Sequence, residues 1–174
     1  MEAVDREQLL RLLTASRKKL LESAEGLTDE QAKARPADDR WTILETVEHV
    51  TAVEDLMYLA VTTQMSPGEP PADRSREQRL ISGATDRNRK IPAPDRAKPA
   101  GKFATLGEAL EHFERSRART IEYVQRCEVD LRAVTAVHPV LGAATGQEFM
   151  IILALHPARH ALQILEAREA LGLE

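Results

Sequence analysis

Apolar residues recur along most of this chain at the three-to-four-residue spacing of an amphipathic helix, in four separate stretches. The first stretch covers roughly residues 4–24. The other three begin after Thr42, Thr105 and Thr145, and the last of them ends at Gly172. The pattern therefore predicts four long helices.

Four threonines, each followed three residues later by Glu or Gln, mark helix starts. They lie in "TDEQ" at 28, "TILE" at 42, "TLGE" at 105 and "TGQE" at 145. In a capping box of this kind the threonine oxygen accepts an otherwise unpaired backbone N–H, and the Glu or Gln side chain accepts the N–H of the threonine. Three of the boxes precede long helices, and the box at Thr28 predicts a short additional helical turn.

The segment between Pro67 and Ala104, called the crossover below, separates the second helix from the third. It contains six of the nine prolines and one weak helical stretch near residues 73–88. A connection this long is uncommon in a compact domain unless it runs the length of the molecule, so the third helix is predicted to run parallel to the second. The first two helices, joined by a shorter segment, are predicted to be antiparallel neighbours. We expect an all-α four-helix bundle that forms a single domain over residues 1–174.

Composition and charge narrow the choice further. Hydrophobic residues make up 43% and aromatic residues only 3% of the chain, which favours helices packed through aliphatic side chains. The formal charge of −4 gives no electrostatic reason to bind nucleic acid or an anionic membrane surface. The longest apolar run, residues 149–155, is too short to span a bilayer, and the first residues lack the order of a signal peptide, so we expect a cytoplasmic protein. Cys127, the only cysteine, is expected to be a small buried or half-buried hydrophobe.

Two histidines of the last helix, His156 and His160, lie four residues apart in "HPARH" and so project from one face. A helix supplies two ligands to one metal ion at this spacing, and Gln163 extends the same face. His49, in the second helix, is the candidate third donor. If the second and fourth helices are antiparallel, His49 lies about 10 Å and His160 about 16 Å from their shared end, with His156 one turn deeper. These depths permit a common site without establishing one, and three unrelated core or surface histidines remain the alternative.

Two stretches carry a resemblance to a known family. "RWTILETVEHV" and "HPARHALQI" resemble the DinB-like superfamily of four-helix metalloproteins, in which a Trp-Ser/Thr start leads to a histidine of the second helix and a His-x-x-x-His pair lies on the fourth. "DRNRKIPAP", "FERSRARTIEYV" and "HPVLG" are similar to the branch known as DinB-like domain 2. The resemblance implies an up-down-down-up bundle in which His49, His156 and His160 are the metal ligands.

Pro157 lies between the two histidines of the last helix. There a proline lacks the N–H that would reach the Leu153 carbonyl, and its ring crowds that carbonyl, at a cost of about 3 kcal/mol. One hypothesis is a kink that turns His156 toward the cavity while His160 stays in place. The other is a new helix that starts at Pro157, which would break the four-residue spacing. The resemblance favours the kink.

Further side chains are candidates for the surroundings of the site. His138 is either a fourth donor or pocket wall, or a solvated loop histidine, and composition favours the loop. Trp41 either lines the pocket or packs on the first turns of the second helix. Glu45 either orients the histidine one turn after it or only caps its helix, and Gln163 would orient a ligand in the same way. His112 is expected to be exposed and not a ligand.

Six basic residues make the crossover locally basic: Arg87, Arg89, Lys90, Arg96, Lys98 and Lys102. They would attract an anionic substrate or simply keep a loop in solvent, and the second interpretation is favoured. If they bind substrate, a carboxylate-bearing thiol would suit them.

Three neutral imidazoles leave a divalent ion with positions open to water or substrate, as in catalytic sites. The resemblance implies two enzyme types, namely thiol S-transferases that activate a low-molecular-weight thiol and hydrolases whose substrate it does not name. The alternative is a non-catalytic metal-binding or stress-associated bundle. No residue beyond the ligands is assigned a catalytic role.

The expected cofactor is a divalent metal ion. Imidazole ligands suit zinc, nickel, iron and copper, and zinc or nickel is placed ahead of iron or copper. The expected partner is a small-molecule thiol or an electrophilic substrate, with no nucleic acid and no membrane. The sequence leaves the assembly open, a homodimer being one option.

Overall fold

The computed structural model describes residues 1–88 and 90–173. Its four long helices are α1 (Ala3–Ala24), α3 (Ile43–Thr63), α5 (Leu106–Arg126) and α6 (Gly146–Ala170). Two shorter helices, α2 (Asp29–Lys33) and α4 (Ser75–Gly83), and a 3₁₀ turn over Asp95–Ala97 lie in the connections. The four long helices and the short turn after Thr28 are confirmed.

All four predicted capping boxes are formed. The threonine side chain accepts the backbone N–H of the third helical residue, and the side chain of that residue accepts the threonine N–H. The pairs are Thr28 with Gln31, Thr42 with Glu45, Thr105 with Glu108 and Thr145 with Glu148. These local hydrogen bonds explain why the helix starts were readable from the sequence.

Residues later in α3 contact residues later in α5: Asp55 forms a hydrogen bond with His112, and Tyr58 packs on Tyr123. These two helices are therefore parallel, as the long crossover predicts. Contacts between α3 and α6 run in opposite directions, since Arg40, just before α3, pairs with Glu166 near the end of α6.

The bundle has the expected up-down-down-up order. The α1 and α5 helices are antiparallel, because Arg6 donates to the Cys127 carbonyl and Arg17 pairs with Glu114. Both α1 and α3 pack against α5 and α6, so α1 and α3 occupy diagonal corners. They are antiparallel as predicted, but the prediction that they are neighbours is wrong, because the segment between them is long enough to span the diagonal.

A small antiparallel sheet lies at the end of the bundle where α6 begins. Its strands are β1 (Ser66–Pro67), β2 (Val134–His138) and β3 (Gly142–Thr145), in the order β1-β2-β3. The sequence pattern does not predict these strands, because they are too short to show a period. The four-helix bundle is confirmed, with this sheet as an addition to the all-α description.

The core is aliphatic, as the composition predicts, and forms two clusters. Leu9, Leu13, Met57, Val61 and Phe149 belong to the cluster near the sheet. Leu20, Ile43, Val47, Phe113 and Ile164 belong to the other. Cys127 is a buried free thiol, as expected. Over the residues that the structure describes, no helix is both long and apolar enough to cross a bilayer.

Between the two clusters lies a buried polar layer centred on Arg117, whose side chain is fully buried. Its Nη2 atom donates to Glu54 Oε2 at 2.7 Å and to the Leu153 carbonyl at 3.2 Å. Its Nη1 atom donates to the Leu13 carbonyl and to Ser16 Oγ, each at 3.1 Å. One guanidinium of α5 therefore binds groups of α1, α3 and α6.

The Leu153 carbonyl is the one that Pro157 leaves without its helical N–H partner. Arg117 supplies the replacement donor. The α6 helix runs from Gly146 to Ala170 as one element with Pro157 inside it. The hypothesis of a new helix starting at Pro157 is therefore wrong.

We predict that Arg117→Met destabilises the protein by about 3–5 kcal/mol, because it leaves the buried Glu54 carboxylate without its cation. Pro157→Ala should be more favourable in the Arg117→Met background than in the wild type by about 1 kcal/mol, because alanine restores the N–H for the Leu153 carbonyl. Urea denaturation of the four proteins in a double-mutant cycle measures this coupling. A coupling of zero would show that Arg117 does not serve that carbonyl.

Candidate metal centre

The structure brings together three histidines from two antiparallel helices, called the triad below. His49 lies in the second turn of α3, and His156 and His160 lie on one face of α6. The Nε2 atom of His156 is 3.2 Å from that of His49 and 3.0 Å from that of His160. One nitrogen from each of the three rings lies within 4.8 Å of the others.

The outer nitrogens of two triad rings have acceptors that define their protonation. His49 Nδ1 donates to the Ala97 carbonyl at 2.7 Å, and a carbonyl can only accept. His160 Nδ1 is 2.9 Å from Gln163 Oε1. Since Nδ1 carries the hydrogen in both neutral rings, each Nε2 presents its lone pair to the centre of the triad.

The donor set fits a metal ion. Two imidazole nitrogens bound to one ion at about 2.0–2.1 Å lie about 2.9–3.4 Å apart, which matches the two short N–N distances. Lone pairs this close repel each other unless a cation or a proton lies between them. The buried Nδ1 of His156 has no hydrogen-bond partner within the described chain, so no neighbour dictates which of its nitrogens is protonated.

Burial keeps the triad in the form that a metal ion requires. Loss of hydration lowers the pKa of His49. For His156 and His160, burial lowers the pKa well below its ordinary value, and the neighbouring histidines lower it further. The rings are therefore neutral at pH 7, and protons do not compete for their lone pairs.

Trp41 forms a wall of the site. Its ring centroid lies 4.9 Å from that of His49, and the two rings are tilted by 49°. Trp41 is half-buried, so one part of it covers His49 while another part meets solvent. The sequence alone did not decide whether Trp41 lines the pocket or packs on the first turns of the second helix.

The crossover supplies the Ala97 carbonyl through its 3₁₀ turn, and Glu48 holds the adjacent backbone. The Glu48 Oε1 atom accepts the N–H groups of Ala100 at 2.7 Å and Lys102 at 3.1 Å. Glu48 is itself buried beside the triad. Sequence reasoning missed both residues, because a backbone carbonyl leaves no sequence signal. The charged Glu48 directly before a candidate ligand was the available hint.

Arg87 of the crossover reaches the other side of the triad. It donates to Glu166 through two nitrogens, at 3.0 and 2.8 Å, and its Nη1 donates to Gln163 Oε1 at 3.2 Å. The favoured interpretation of Arg87 as a solvated loop residue is therefore wrong. Of the other basic residues, Lys98 pairs with the exposed Asp95, and Arg89 lies outside the described residues.

Three candidates lie apart from the triad. His138 ends β2, is buried against Phe149, and accepts two backbone N–H groups through Nδ1, so the favoured placement in a solvated loop is wrong. One Glu45 oxygen accepts the Thr42 N–H of the capping box, and the other accepts from Arg35 at 2.8 Å. His112 is half-buried rather than exposed, because it bonds Asp55 at 2.9 Å.

An up-down-down-up bundle with three convergent imidazoles on two antiparallel helices defines a four-helix-bundle protein with a candidate metal centre. A family model described as DinB superfamily (DinB_2) matches residues 12–164. The chain belongs to the DinB superfamily, which confirms the resemblance seen in "RWTILETVEHV" and "HPARHALQI".

Individual relatives share most of their length with this chain. The uncharacterized protein YuaE of Bacillus subtilis (strain 168) is 26% identical over 148 residues, which cover 83% of this chain and 87% of YuaE. YfiT from Bacillus subtilis, described as a probable metal-dependent hydrolase with an unusual four-helix bundle topology, superposes with a TM-score of 0.63 at 18% identity, covering 100% of this chain and 91% of YfiT.

Two further solved structures have the same fold. TT2238, a four-helix bundle protein, has a TM-score of 0.61 at 23% identity and covers 92% of this chain and 98% of its own. A conserved protein from Enterococcus faecalis has a TM-score of 0.66 at 15% identity, covering 98% of this chain and 97% of its own. Identities this low establish a common fold and leave the chemistry to be argued from the site.

We predict that Glu48→Ala frees the crossover from α3. The amide protons of Ala100 and Lys102 should exchange with solvent about fivefold faster, since each loses its acceptor, a loss worth roughly 1 kcal/mol. Glu48→Gln keeps the Oε1 acceptor and serves as the matched control. Amide exchange followed by NMR measures both variants, and equal exchange in Glu48→Ala and Glu48→Gln would contradict the role given to Glu48.

Proposed function

We propose that this protein is a metal-dependent enzyme that holds a divalent ion with His49, His156 and His160. The observation that carries the proposal is the ligand count. Within residues 1–88 and 90–173, no Asp, Glu or Cys side chain joins the three histidines. Three protein ligands leave at least one position open to water or substrate, which is the arrangement of catalytic rather than structural sites.

The residues of the chain have separate tasks in this proposal. The triad supplies three neutral nitrogens, and the Ala97 carbonyl and Gln163 orient two of the rings. Trp41 covers His49 and limits the entry of water. When bound, a divalent ion supplies Lewis acidity, which polarises a substrate or lowers the pKa of a bound water or thiol.

We place substrate access beside the crossover, where a pocket of about 270 Å³ lies between the crossover and the start of α3. Its lining includes Glu48, the residue before His49, but no member of the triad. Its wall includes Glu45, one helical turn before His49. Lys33 and Arg35 also line it. Arg35 already pairs with Glu45, so Lys33 is the cation that would hold an anionic group, such as the carboxylate of a small thiol or an electrophilic substrate.

The reaction is hydrolysis or transfer of a thiol. The description of YfiT as a probable metal-dependent hydrolase supports hydrolysis, and the DinB-type ligand pattern supports both. For the metal, three imidazoles suit zinc or nickel, with iron or copper as alternatives. The competing function is a non-catalytic metal-binding bundle, which would have the same ligands and no turnover.

We predict that His49→Ala, His156→Ala and His160→Ala each lose a bound divalent metal, because two ligands hold an ion too weakly. His112→Ala, which removes a histidine that contacts Asp55 instead, should keep it. Elemental analysis of protein purified without a metal-affinity tag measures the metal content. Unchanged content in all three triad variants would exclude the proposed site.

We predict that metal-loaded protein accelerates thiol addition or hydrolysis across a panel of small thiols and electrophilic substrates. Chelation should abolish the activity without unfolding the helices, since the bundle core lies in the aliphatic clusters. Activity assays run beside far-UV circular dichroism measure both effects. Metal-loaded protein that binds its ion in all assays and turns over no substrate would establish the non-catalytic alternative.

A further inference from the structure

A chain of polar contacts leads from the crossover to the triad through Gln163. Gln163 Oε1 is 2.9 Å from His160 Nδ1 and 3.2 Å from Arg87 Nη1. The same oxygen therefore faces an imidazole nitrogen on one side and a guanidinium on the other. Gln163 is half-buried on α6, and Arg87 reaches it from a part of the chain 76 residues away.

A glutamine amide can face a histidine in two ways. With its oxygen toward Nδ1 it accepts a hydrogen, and the neutral imidazole leaves its Nε2 lone pair free. With its NH₂ group toward Nδ1 it donates, and the hydrogen of the neutral imidazole moves to Nε2. In that second arrangement Nε2 of His160 has no lone pair for a metal ion.

Arg87 distinguishes between these two arrangements. A guanidinium has donors and no acceptor, so it repels the NH₂ group of an amide and binds only its oxygen. Because Arg87 and His160 share the Oε1 atom, a flipped Gln163 would place its NH₂ group against Arg87. Arg87 therefore disfavours the flipped amide, whereas His160 alone could adapt to it by moving its hydrogen to Nε2.

We propose that Arg87 is a positioning residue that sets the tautomer of His160 by fixing the amide of Gln163. The inference rests on the proposed metal site, since a free Nε2 lone pair on His160 matters only if that atom is a ligand. Arg87 donates hydrogen bonds to Gln163 and Glu166, and its charge also lowers the pKa of His160 directly; the proposed control of the tautomer runs through the amide of Gln163.

Glu166 holds Arg87 in the geometry that this role needs. Its two oxygens accept from Arg87 Nε and Nη2, which leaves Nη1 directed at Gln163. Arg40 also donates to Glu166, at 3.2 Å. Arg40 thus shares the carboxylate with Arg87, but within the described residues it forms no hydrogen bond to Gln163, which makes it a matched control.

The test compares Arg87→Met with Arg40→Met. In metal-free protein, long-range ¹H–¹⁵N correlation spectra distinguish the protonated from the unprotonated ring nitrogen of His160. Wild-type protein should show Nδ1–H, and Arg87→Met should show a mixture with Nε2–H. Zinc affinity, measured by competition with a chromophoric chelator, should fall about tenfold in Arg87→Met, the effect typical of removing a group that orients a ligand. Arg40→Met should leave both properties unchanged.

A rescue variant separates positioning from general support of the fold. In Arg87→Met/Gln163→Glu the carboxylate can only accept, so it should restore Nδ1–H on His160 and wild-type zinc affinity without any guanidinium. Gln163→Met removes the acceptor itself. Its effect on the His160 tautomer and on zinc affinity is the largest that the loss of the Gln163 contact can produce. Thermal melts verify that each variant folds.

The outcomes are distinct. The inference is overturned if Arg87→Met keeps the wild-type tautomer of His160 and the wild-type zinc affinity. It is also overturned if Arg40→Met loses as much zinc affinity as Arg87→Met, or if Arg87→Met/Gln163→Glu does not restore Nδ1–H on His160. If wild-type protein binds neither zinc nor nickel, iron or copper, the proposed function fails. The tautomer of His160 in metal-free protein still decides whether Arg87 orients Gln163.

Discussion

The buried guanidinium of Arg117 is the contact on which the arrangement of the bundle depends. It joins the carboxylate of Glu54 on α3 to the carbonyls of Leu13 on α1 and Leu153 on α6. A buried charge needs hydrogen-bond partners within reach, because no water can replace them. The helices can therefore shift along one another only as far as the hydrogen bonds of Arg117 allow. The register of α3 against α6 that results is the one in which His49 meets His156 and His160. Pro157 is tolerated one residue after His156 for the same reason, because the carbonyl it frees has another donor.

The parts of the structure that were predictable from sequence are those decided within one or two helical turns. The capping boxes and the His156–His160 pair depend on neighbours along the chain, and the structure contains them as expected. The alignment of His49 with that pair was left open by the helix periodicity, because it depends on how far α3 slides along α6, and the DinB-like motif was needed to connect them. The Ala97 carbonyl and Arg87 were not predicted, since they belong to a proline-rich segment without a period. The strands β2 and β3 were missed because nine residues with mixed polarity show no alternation long enough to detect.

In the candidate centre, the ligand nitrogens lie on helices, and the groups that orient them lie largely in the irregular crossover. The helices carry the three nitrogens, whose separation is set by the packing of α3 against α6. The crossover carries the groups that bind the outer nitrogen of His49 directly and that of His160 through Gln163. A site built in this way has ligands that move little and orienting contacts that can be exchanged without rebuilding the core. Solved structures of 15–23% identity to this chain have the same fold, so the helix packing tolerates extensive change of sequence.

Arg87 and Ala97 are ten residues apart in the crossover. Ala97 accepts a hydrogen bond from His49 directly, and Arg87 is connected to His160 through Gln163. An ion bound by His49 and His160 would act as a removable cross-link between α3 and α6, the helices that carry these residues. By mass action, an ion that binds only when α3 and α6 are packed together stabilises that packing, by about 2.7 kcal/mol at a free concentration one hundred times its Kd. Loading with metal would therefore stabilise the packing of α3 against α6, in addition to any chemistry that the ion supplies.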